Sequence, residues 1–369
     1  MKAPPFRIVH SQAPLRLNDI GGWTDTWFSG GGKVLNLAVG PPVEVQIIAR
    51  AGAGPRGGGV LVWAENYGQT FRFDPGRPSS GSHPLLRFAV ASIPWPKKYS
   101  LEIRVYSPVR GGLGTGTSAS VCVAVLAGLS FLAGRPPRPA RIAQLAHEVE
   151  TKKLGLQSGI QDQMSAAFGG VCFIHMARYP QARVIKLALR GDVLSELNRR
   201  LVLVDLGRPH RSSDLHERVI ALLRKEGTRS RHLERLRSLA VEARACLEKG
   251  DLESYGRVMC ENNEGQRALD RRLISPQADG VIRLARKHRA AGWKVNGAGG
   301  RGGSLTLLAS PDDGLRRALI RDLMTLGRGI RPLPCYLSSK GIAAWEVGWG
   351  PQGPVKAFFR QGNTPGRCL

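Results

Sequence analysis

The chain has 369 residues, of which 42% are hydrophobic and 22% are charged, and these are ordinary values for a globular protein. They exclude a disordered, collagen-like or coiled-coil protein, and no apolar run reaches the roughly 18 residues that a membrane helix needs. The first residues contain no apolar stretch of the kind found in a secretory signal, so we expect a soluble cytoplasmic protein without a membrane partner.

The charge of the chain is strongly positive, because 54 lysines and arginines stand against 28 aspartates and glutamates, which gives a net charge of +26. Three explanations stay open at this point. The chain binds a polyanion such as nucleic acid, it attracts a phosphorylated substrate, or its composition is biased toward arginine throughout. Since the basic residues are spread through most segments, we favour the compositional bias and do not expect a nucleic-acid partner.

The first 110 residues have the pattern of strands and turns. Residues 34–39 and 43–50 are β-branched and mostly apolar, and a Gly-Pro-Pro sequence separates them, so we predict two strands there. Residues 60–74 predict a hairpin, and residues 99–107 predict a further strand. Later segments predict, in order, a Gly-rich loop at 110–116, helices at 118–134 and 139–155, a strand at 200–207, helices within 212–273, and two strands around a second Gly-rich loop within 292–310.

The sequence PVRGGLGTGTSAS at 108–120 has the features of an anion-binding loop. Closely spaced glycines let several backbone N–H groups turn toward one point, and the following helix adds the partial positive charge of its N-terminus. The hydroxyls of Thr115, Thr117 and Ser118 add contacts for phosphate or a metal ion. A plain Gly-rich turn with a Ser/Thr cap is the alternative, and the absence of a following Lys-Ser/Thr excludes a Walker A loop.

An acidic segment lies between this loop and the second Gly-rich loop, GAGGRGG at 297–303. Asp162 stands between two glutamines, and Glu150 lies upstream in the preceding predicted helix. An aspartate near a phosphate-binding loop can orient or deprotonate an attacking hydroxyl, and a second carboxylate can hold Mg²⁺. The alternative is that Asp162 caps a helix and that Glu150 lies on a solvated face.

The segment APLRLNDIGGWTDTW at 13–27 combines polar side chains with an indole. Hydrogen-bonding groups beside a flat apolar ring are what a sugar site needs. The alternative is a strand-to-turn segment in which Asp25 serves as a cap. The side chains concerned are Arg16, Asn18, Asp19, Trp23, Thr24 and Asp25.

These four segments, in this order, resemble the motifs of the GHMP kinase superfamily, which includes galactokinases, homoserine kinases and mevalonate kinases. The first motif departs from the family because Gly22-Trp23 replace the usual Glu-His, and the third because Arg301 interrupts its glycines. The resemblance implies an α+β fold of two lobes, with a mixed sheet and helices in the first, a sheet and helices in the second, and ATP in the groove between them. Beyond about residues 190–200 the sequence becomes largely charged and helical in pattern, so we expect lobes at 1–195 and 196–369.

The resemblance also implies roles for individual residues. Asp162 would orient or deprotonate the acceptor hydroxyl, and Arg16 would lie beside Asp162 and the transferred phosphoryl group. Glu150 and Thr117 would hold Mg²⁺, although the family's usual second hydroxyl position falls on Gly116. The phosphates of ATP would contact Gly111, Gly112, Gly114, Thr115, Gly116, Thr117 and Ser118, and the sugar would contact Trp23, Thr24, Asp25, Gly297, Gly299 and Gly300.

Two branches of the superfamily are the most similar. GGWTDT at 21–26 resembles the kinase part of bifunctional L-fucokinases, whereas residues 146–170 and RSSDLHE at 211–217 resemble D-glycero-D-manno-heptose 7-phosphate kinases. Both groups phosphorylate an anomeric hydroxyl. We therefore expect an ATP- and Mg²⁺-dependent kinase for the C1 hydroxyl of heptose 7-phosphate or a related sugar or sugar phosphate. A stand-alone fucokinase acting on a free sugar is the alternative, and a polyanion-binding protein on an inactive kinase fold is the alternative from a different class. The sequence does not give the oligomeric state.

Overall fold

The computed structural model of the chain describes residues 6–51, 59–96, 98–208, 213–350 and 353–359. The strands of these residues are β1 (Phe6–Ile20), β2 (Gly32–Ala51), β3 (Val60–Ala64), β4 (Gln69–Phe73), β5 (Tyr99–Tyr106), β6 (Val171–Arg178), β7 (Gln181–Lys186), β8 (Leu201–Leu206), β9 (Gly292–Val295), β10 (Ser304–Leu308), β11 (Ile330–Leu333), β12 (Tyr336–Leu337), β13 (Ala343–Gly350) and β14 (Gly353–Phe359). The helices are α1 (Pro84–Ala91), α2 (Thr117–Leu132), α3 (Pro139–Glu148), α4 (Gln161–Phe168), α5 (Gly191–Arg200), α6 (Ser213–Glu226), α7 (Arg231–Lys249), α8 (Leu252–Leu269), α9 (Pro276–Lys287) and α10 (Asp313–Thr325).

A large mixed sheet forms the first layer, in the order β14-β13-β1-β2-β5-β3-β4, with β6 and β12 also paired to β2. The pairs are antiparallel except for β3 and β5, which run parallel. The predicted hairpin at 60–74 and the strand at 99–107 are confirmed. The two strands predicted around Gly-Pro-Pro are one continuous strand, β2, because β1 pairs along both halves of it and absorbs the interruption as a register shift between Ala13 and Leu15.

Helix α2 is the centre of the first core. Nearly all of its residues from Ala119 to Leu132 are buried, which is expected of a helix that is apolar on every side. It contacts β1 and β2 on one side and α1, α3 and α4 on the others. The start of α2, where its unpaired backbone N–H groups lie, is therefore fixed against the sheet.

A second, four-stranded antiparallel sheet has the order β11-β8-β10-β9 and packs against α9 and α10. Helices α7 and α8 connect the two layers, since α7 contacts β2 and α8 contacts β9. Strands β12, β13 and β14 return to the first sheet, so the predicted lobe 196–369 contributes to both sheets. None of the helices in the described ranges is long and apolar enough to span a lipid bilayer.

Candidate active site

The end of β1 and the turn that follows it form one wall of the site. The backbone turns through left-handed conformations at Asn18 (φ 57°) and Trp23 (φ 75°). Gly21 is required between them, because a Cβ at this position would lie 2.2 Å from the carbonyl oxygen of Lys33. This tight turn folds the polar residues of the first motif back toward the start of α2.

Arg16 and Asp162 form an ion pair at the centre of the site. The Nε atom of Arg16 donates to Oδ1 of Asp162 at 2.7 Å, and Nη1 donates to the carbonyl of Gly114 at 2.5 Å. Arg16 is only 4% exposed. Although burial opposes its charge, the neighbouring Asp162 and Asp19 raise the pKa of Arg16, so the guanidinium stays protonated. Residues from the first motif, the first Gly-rich loop and α4 therefore meet at one guanidinium.

A buried lysine contacts Asp19, the carboxylate that lies beside Arg16 of this pair. The Nζ atom of Lys294 is fully buried and donates to Oδ1 of Asp19 at 2.8 Å, and Oδ1 also accepts from the backbone N–H of Gly297 at 3.0 Å. Burial alone would raise the pKa of Asp19, but the charges of Lys294 and Arg16 hold it below its ordinary value. Sequence reasoning missed Lys294; its position in a strand directly before the second Gly-rich loop was the available signal.

The two Gly-rich loops touch each other. Gly114 has a φ of +71°, and a Cβ there would lie 2.5 Å from the carbonyl oxygen of Asn296, which precedes Gly297. The Ser304 hydroxyl donates to the carbonyl of Leu113 at 2.6 Å, which ties the start of β10 to the first loop. Glycines at 114 and 297 are therefore needed for close backbone approach, as well as for the turns themselves.

The first loop passes directly over the Arg16–Asp162 pair. A Cβ on Gly116 would lie 3.1 Å from Cγ of Arg16 and 3.4 Å from Cγ of Asp162. The Thr115 side chain is buried and its hydroxyl is 3.0 Å from that of Thr117, the first residue of α2. Gly111 and Gly112 lie in the same loop, and Ser118 is exposed in the first turn of α2.

Glu150 lies in a π-helical turn, Val149–Lys153, that ends the predicted helix at 139–155. Its Oε2 atom accepts from the hydroxyl of Ser158 at 2.8 Å and from Nε2 of Gln163 at 2.7 Å. Its Oε1 atom is buried and has no hydrogen-bond partner among the described residues. Burial raises the pKa of Glu150 to about 7. A carboxylate oxygen without a partner fits a hard cation such as Mg²⁺.

A cavity of about 190 Å³ lies beside the ion pair. Asp25 is 2% exposed, and its Oδ2 accepts the backbone N–H of Gln161, the first residue of α4, at 3.0 Å. Burial raises the pKa of Asp25 to about 6. The rings of Trp23 and His216 are 4.8 Å apart. The cavity is lined by Arg16, Asp19, Trp23, Asp25, Thr26, Gln157, Ser158, Gly159, Gln161, Asp162, His216, Gly297 and Ala298.

Three of the predicted sugar contacts, Thr24, Gly299 and Gly300, are not among the residues that line this cavity. The hydroxyl of Thr24 is buried, donates to the carbonyl of Gly21 at 2.7 Å and accepts from the backbone N–H of Lys33, so it fixes the turn and does not line the cavity. Gly299 and Gly300 pack on the backbone of Leu273.

The sequence analysis also singled out Arg301 and the RSSDLHE segment, and one residue of that segment reaches the cavity. Arg301 is exposed. In the predicted RSSDLHE motif, Arg211 and Ser212 lie outside the described residues, whereas His216 lines the cavity, and the sequence analysis did not propose it as a site residue.

Two regions of the chain match family models. Residues 86–170 match the GHMP kinases N terminal domain, and residues 243–324 match the GHMP kinases C terminal domain. The chain carries both the N-terminal and the C-terminal domain of the GHMP kinases. This assignment makes it a phosphotransferase, as its motifs predicted, and it accounts for a glycine loop, a helix N-terminus and an Arg–Asp pair meeting at one point.

Two relatives of this GHMP kinase are named as sugar kinases. It is 24% identical over 319 residues to the D-glycero-alpha-D-manno-heptose 7-phosphate kinase of Campylobacter jejuni, covering 83% of this chain and 91% of that one. It is 25% identical over 328 residues to the bifunctional fucokinase/GDP-fucose pyrophosphorylase of Arabidopsis thaliana, covering 82% of this chain and 30% of that protein. These similarities support a sugar kinase.

Solved structures confirm the α+β kinase fold. A D-glycero-D-manno-heptose 1-phosphate kinase from Bacteroides thetaiotaomicron matches with a TM-score of 0.70 at 21% identity, covering 92% of this chain and 99% of that one. A Lactococcus lactis galactokinase complexed with galactose matches with a TM-score of 0.71 at 17% identity, covering 91% of this chain and 94% of that one.

Proposed function

We propose that this sugar kinase transfers the γ-phosphoryl group of ATP to the anomeric C1 hydroxyl of a sugar. The observation that carries the proposal is the Arg16–Asp162 pair, which forms part of the cavity wall directly beneath Gly116 of the phosphate loop. An acceptor in the cavity and a nucleotide phosphate at the loop would meet at this pair. Phosphoryl transfer needs positioning and charge stabilisation more than covalent chemistry, and this arrangement provides both.

Asp162 would orient the acceptor hydroxyl and receive its proton. The oxygen of that hydroxyl forms the new bond to the γ-phosphorus, the bond to the bridging oxygen of ADP breaks, and ADP leaves. Arg16 offsets the negative charge that develops on the transferred group. Because Asp19 and Gly114 hold the guanidinium on its other side, it is already in place before the substrates bind.

The nucleotide phosphates would lie against the glycines of the first loop and the N-terminus of α2. The hydroxyl of Tyr67 lies beside Gly111, and the Tyr67 side chain is exposed, so it offers a surface for the base of the nucleotide. Glu150 and Thr117 would hold Mg²⁺, which supplies neutralisation of phosphate charge when bound. No cluster of three or more His, Cys, Asp or Glu side chains suited to a metal occurs among the residues described, which fits an ion that takes most of its ligands from nucleotide and water.

Two classes of acceptor are supported by the relatives: a heptose 7-phosphate and a free sugar such as L-fucose. Asp25 and the indole of Trp23 would bind the hydroxyls and the ring face of either one. The alternative of a polyanion-binding protein on an inactive fold has less support, because Arg16 and Asp162 are paired as the reaction requires.

The experiment that tests the proposal is ATP consumption with Mg²⁺ against a panel of aldoses and their phosphates, followed by NMR of the product. We expect turnover with at least one member and phosphate on C1. Turnover that places phosphate on another carbon would contradict the C1 assignment. ATP binding without turnover of any sugar would contradict the proposed function as a whole.

A further inference from the structure

The charges around the acceptor cavity distinguish the two classes of acceptor. Three carboxylates line the cavity, those of Asp19, Asp25 and Asp162, and Arg16 is the one arginine or lysine among the described residues that line it. Arg16 is already engaged, since its Nε donates to Asp162 and its Nη1 to the carbonyl of Gly114. The lining therefore has more negative than positive charge before any substrate binds.

His216 does not change this balance. Its ring lines the cavity against Trp23, and burial lowers the pKa of His216, so the imidazole is neutral near pH 7. Among the described residues, the charged groups of the cavity lining are Arg16, Asp19, Asp25 and Asp162, and the neighbouring Glu217 adds a further carboxylate beside His216. A second phosphate on the acceptor would thus meet carboxylates without a free cation among the described residues that line the site.

Two polar atoms of buried lining residues favour sugar hydroxyls as the groups that lie against them. Nε1 of Trp23 and Oε1 of Gln161 have no hydrogen-bond partner in the part of the chain that the structure describes, and both residues are more than nine-tenths buried. One is a donor and the other an acceptor, and a sugar hydroxyl can serve both because it donates and accepts. An ionised phosphate only accepts, so a phosphate group lying against Gln161 would leave its Oε1 unpaired, whereas a sugar hydroxyl in the same place would pair it.

We propose that the acceptor is an uncharged aldose, without a phosphate group, and that Gln161 and His216 help to determine this specificity. The inference rests on the proposed function. Hydroxyl groups donate to the carboxylates that line the cavity, whereas a phosphate dianion is repelled by the same groups in a site with little water. The net charge of +26 is distributed over the molecule and is not repeated in this cavity.

The test compares kcat/KM for matched pairs of one sugar with and without a distal phosphate. Suitable pairs are D-mannose with its 6-phosphate and D-glycero-D-manno-heptose with its 7-phosphate. We expect the unphosphorylated member to be preferred by at least about tenfold in each pair that is turned over, since a like-charge contact in a desolvated site costs at least that much. Equal use, or preference for the phosphorylated member, overturns the inference while C1 phosphorylation itself stands. If no member of any pair is turned over, the proposed function fails and this inference fails with it.

A charge-insertion variant tests the physical reason. Gln157 is exposed at the edge of the cavity, so Gln157→Lys places a cation there. The ratio of kcat/KM for the phosphorylated over the unphosphorylated sugar should rise about two- to fivefold, as expected of an exposed ion pair. Leu156→Lys is the matched control, because Leu156 is 53% exposed and does not line the cavity. An unchanged ratio in Gln157→Lys, or the same rise in Leu156→Lys, contradicts the assignment to local charge.

Discussion

Replacement of Glu150 by glutamine should change how the stability of the protein depends on pH. Burial raises the pKa of Glu150 from its ordinary 4.5 to about 7, and the residue is 5% exposed, so solvent screens the effect little. The unfolded carboxyl ionises from about pH 4.5 upward, whereas the folded one ionises only near pH 7. The folded state therefore loses stability between these pH values.

The size of the loss follows from the shift. At about 1.4 kcal/mol for each pH unit, a rise from 4.5 to about 7 corresponds to about 3 kcal/mol, which is absent below pH 4.5 and complete above pH 7. Glutamine cannot ionise, so the variant lacks this pH-dependent loss of stability. Between pH 5 and pH 8, the free energy of unfolding of Glu150→Gln should therefore rise by roughly 2 to 3 kcal/mol relative to that of wild type. Any effect of the substitution that is equal at both pH values does not alter this difference.

Urea unfolding at pH 5 and pH 8, without nucleotide, sugar or Mg²⁺, measures this difference. Glu148→Gln is the matched control, because Glu148 is partly exposed in the same segment beside Lys152. If wild type and Glu150→Gln lose stability equally between the two pH values, the buried carboxylate is not the cause and the reasoning is wrong. Adding Mg²⁺ and ADP at pH 8 should stabilise wild type more than Glu150→Gln, since a bound cation favours the ionised carboxylate.

Three further variants separate chemistry, binding and stability. Asp162→Asn should lower kcat by about 10²-fold or more while the Kd for ATP stays unchanged, as measured by turnover and equilibrium binding; near-normal turnover would remove Asp162 from its role. Asp25→Asn should raise the KM for the sugar more than that for ATP. In wild type the sugar KM should rise as the pH falls through about 6, where Asp25 becomes protonated, and a pH profile that is the same in Asp25→Asn would contradict this. Thr24→Val should lower the free energy of unfolding by about 1 to 3 kcal/mol without changing either KM, because it removes hydrogen bonds within the turn; a change in the sugar KM alone would return Thr24 to the binding site.

The sequence was most informative where a short segment contains residue types with a specific structural or chemical use. The Gly-rich loop followed by an apolar run predicted a helix at 118–134, and α2 begins at Thr117. The spacing of residues in the predicted helix at 139–155 also held a signal about Glu150 that the prediction did not use. Ala143, Ala146 and Glu150 are spaced three and four residues apart, which places Glu150 on the buried face of its helix and argues against a solvated carboxylate.

Other features depend on contacts that local patterns do not contain. The Gly-Pro-Pro sequence is a turn signal, yet β1 pairs on both sides of it and extends β2 through it. Lys294 and His216 come from segments far from Arg16 in the sequence, and only the packing of the two layers brings them to the site. Asp25 was given two alternative roles, a cap and a sugar ligand. It accepts the first N–H of α4 and also lines the cavity, so the two roles are compatible.

The net charge of the protein acts on substrates at long range, whereas the charges of the cavity act at contact distance. Ionic strength should therefore separate their effects on the two KM values. ATP is highly charged, so the field of a protein with a net charge of +26 accelerates its approach, and salt screens that field beyond about 8 to 10 Å. Raising the salt from about 50 to 300 mM should therefore raise the KM for ATP several-fold. The KM for an uncharged sugar should stay nearly constant, because the groups that bind it act at hydrogen-bond distance. Steady-state kinetics with each substrate varied in turn measures both. If the acceptor carries a phosphate, its KM will rise with salt together with that of ATP, and the net charge will then act on both substrates.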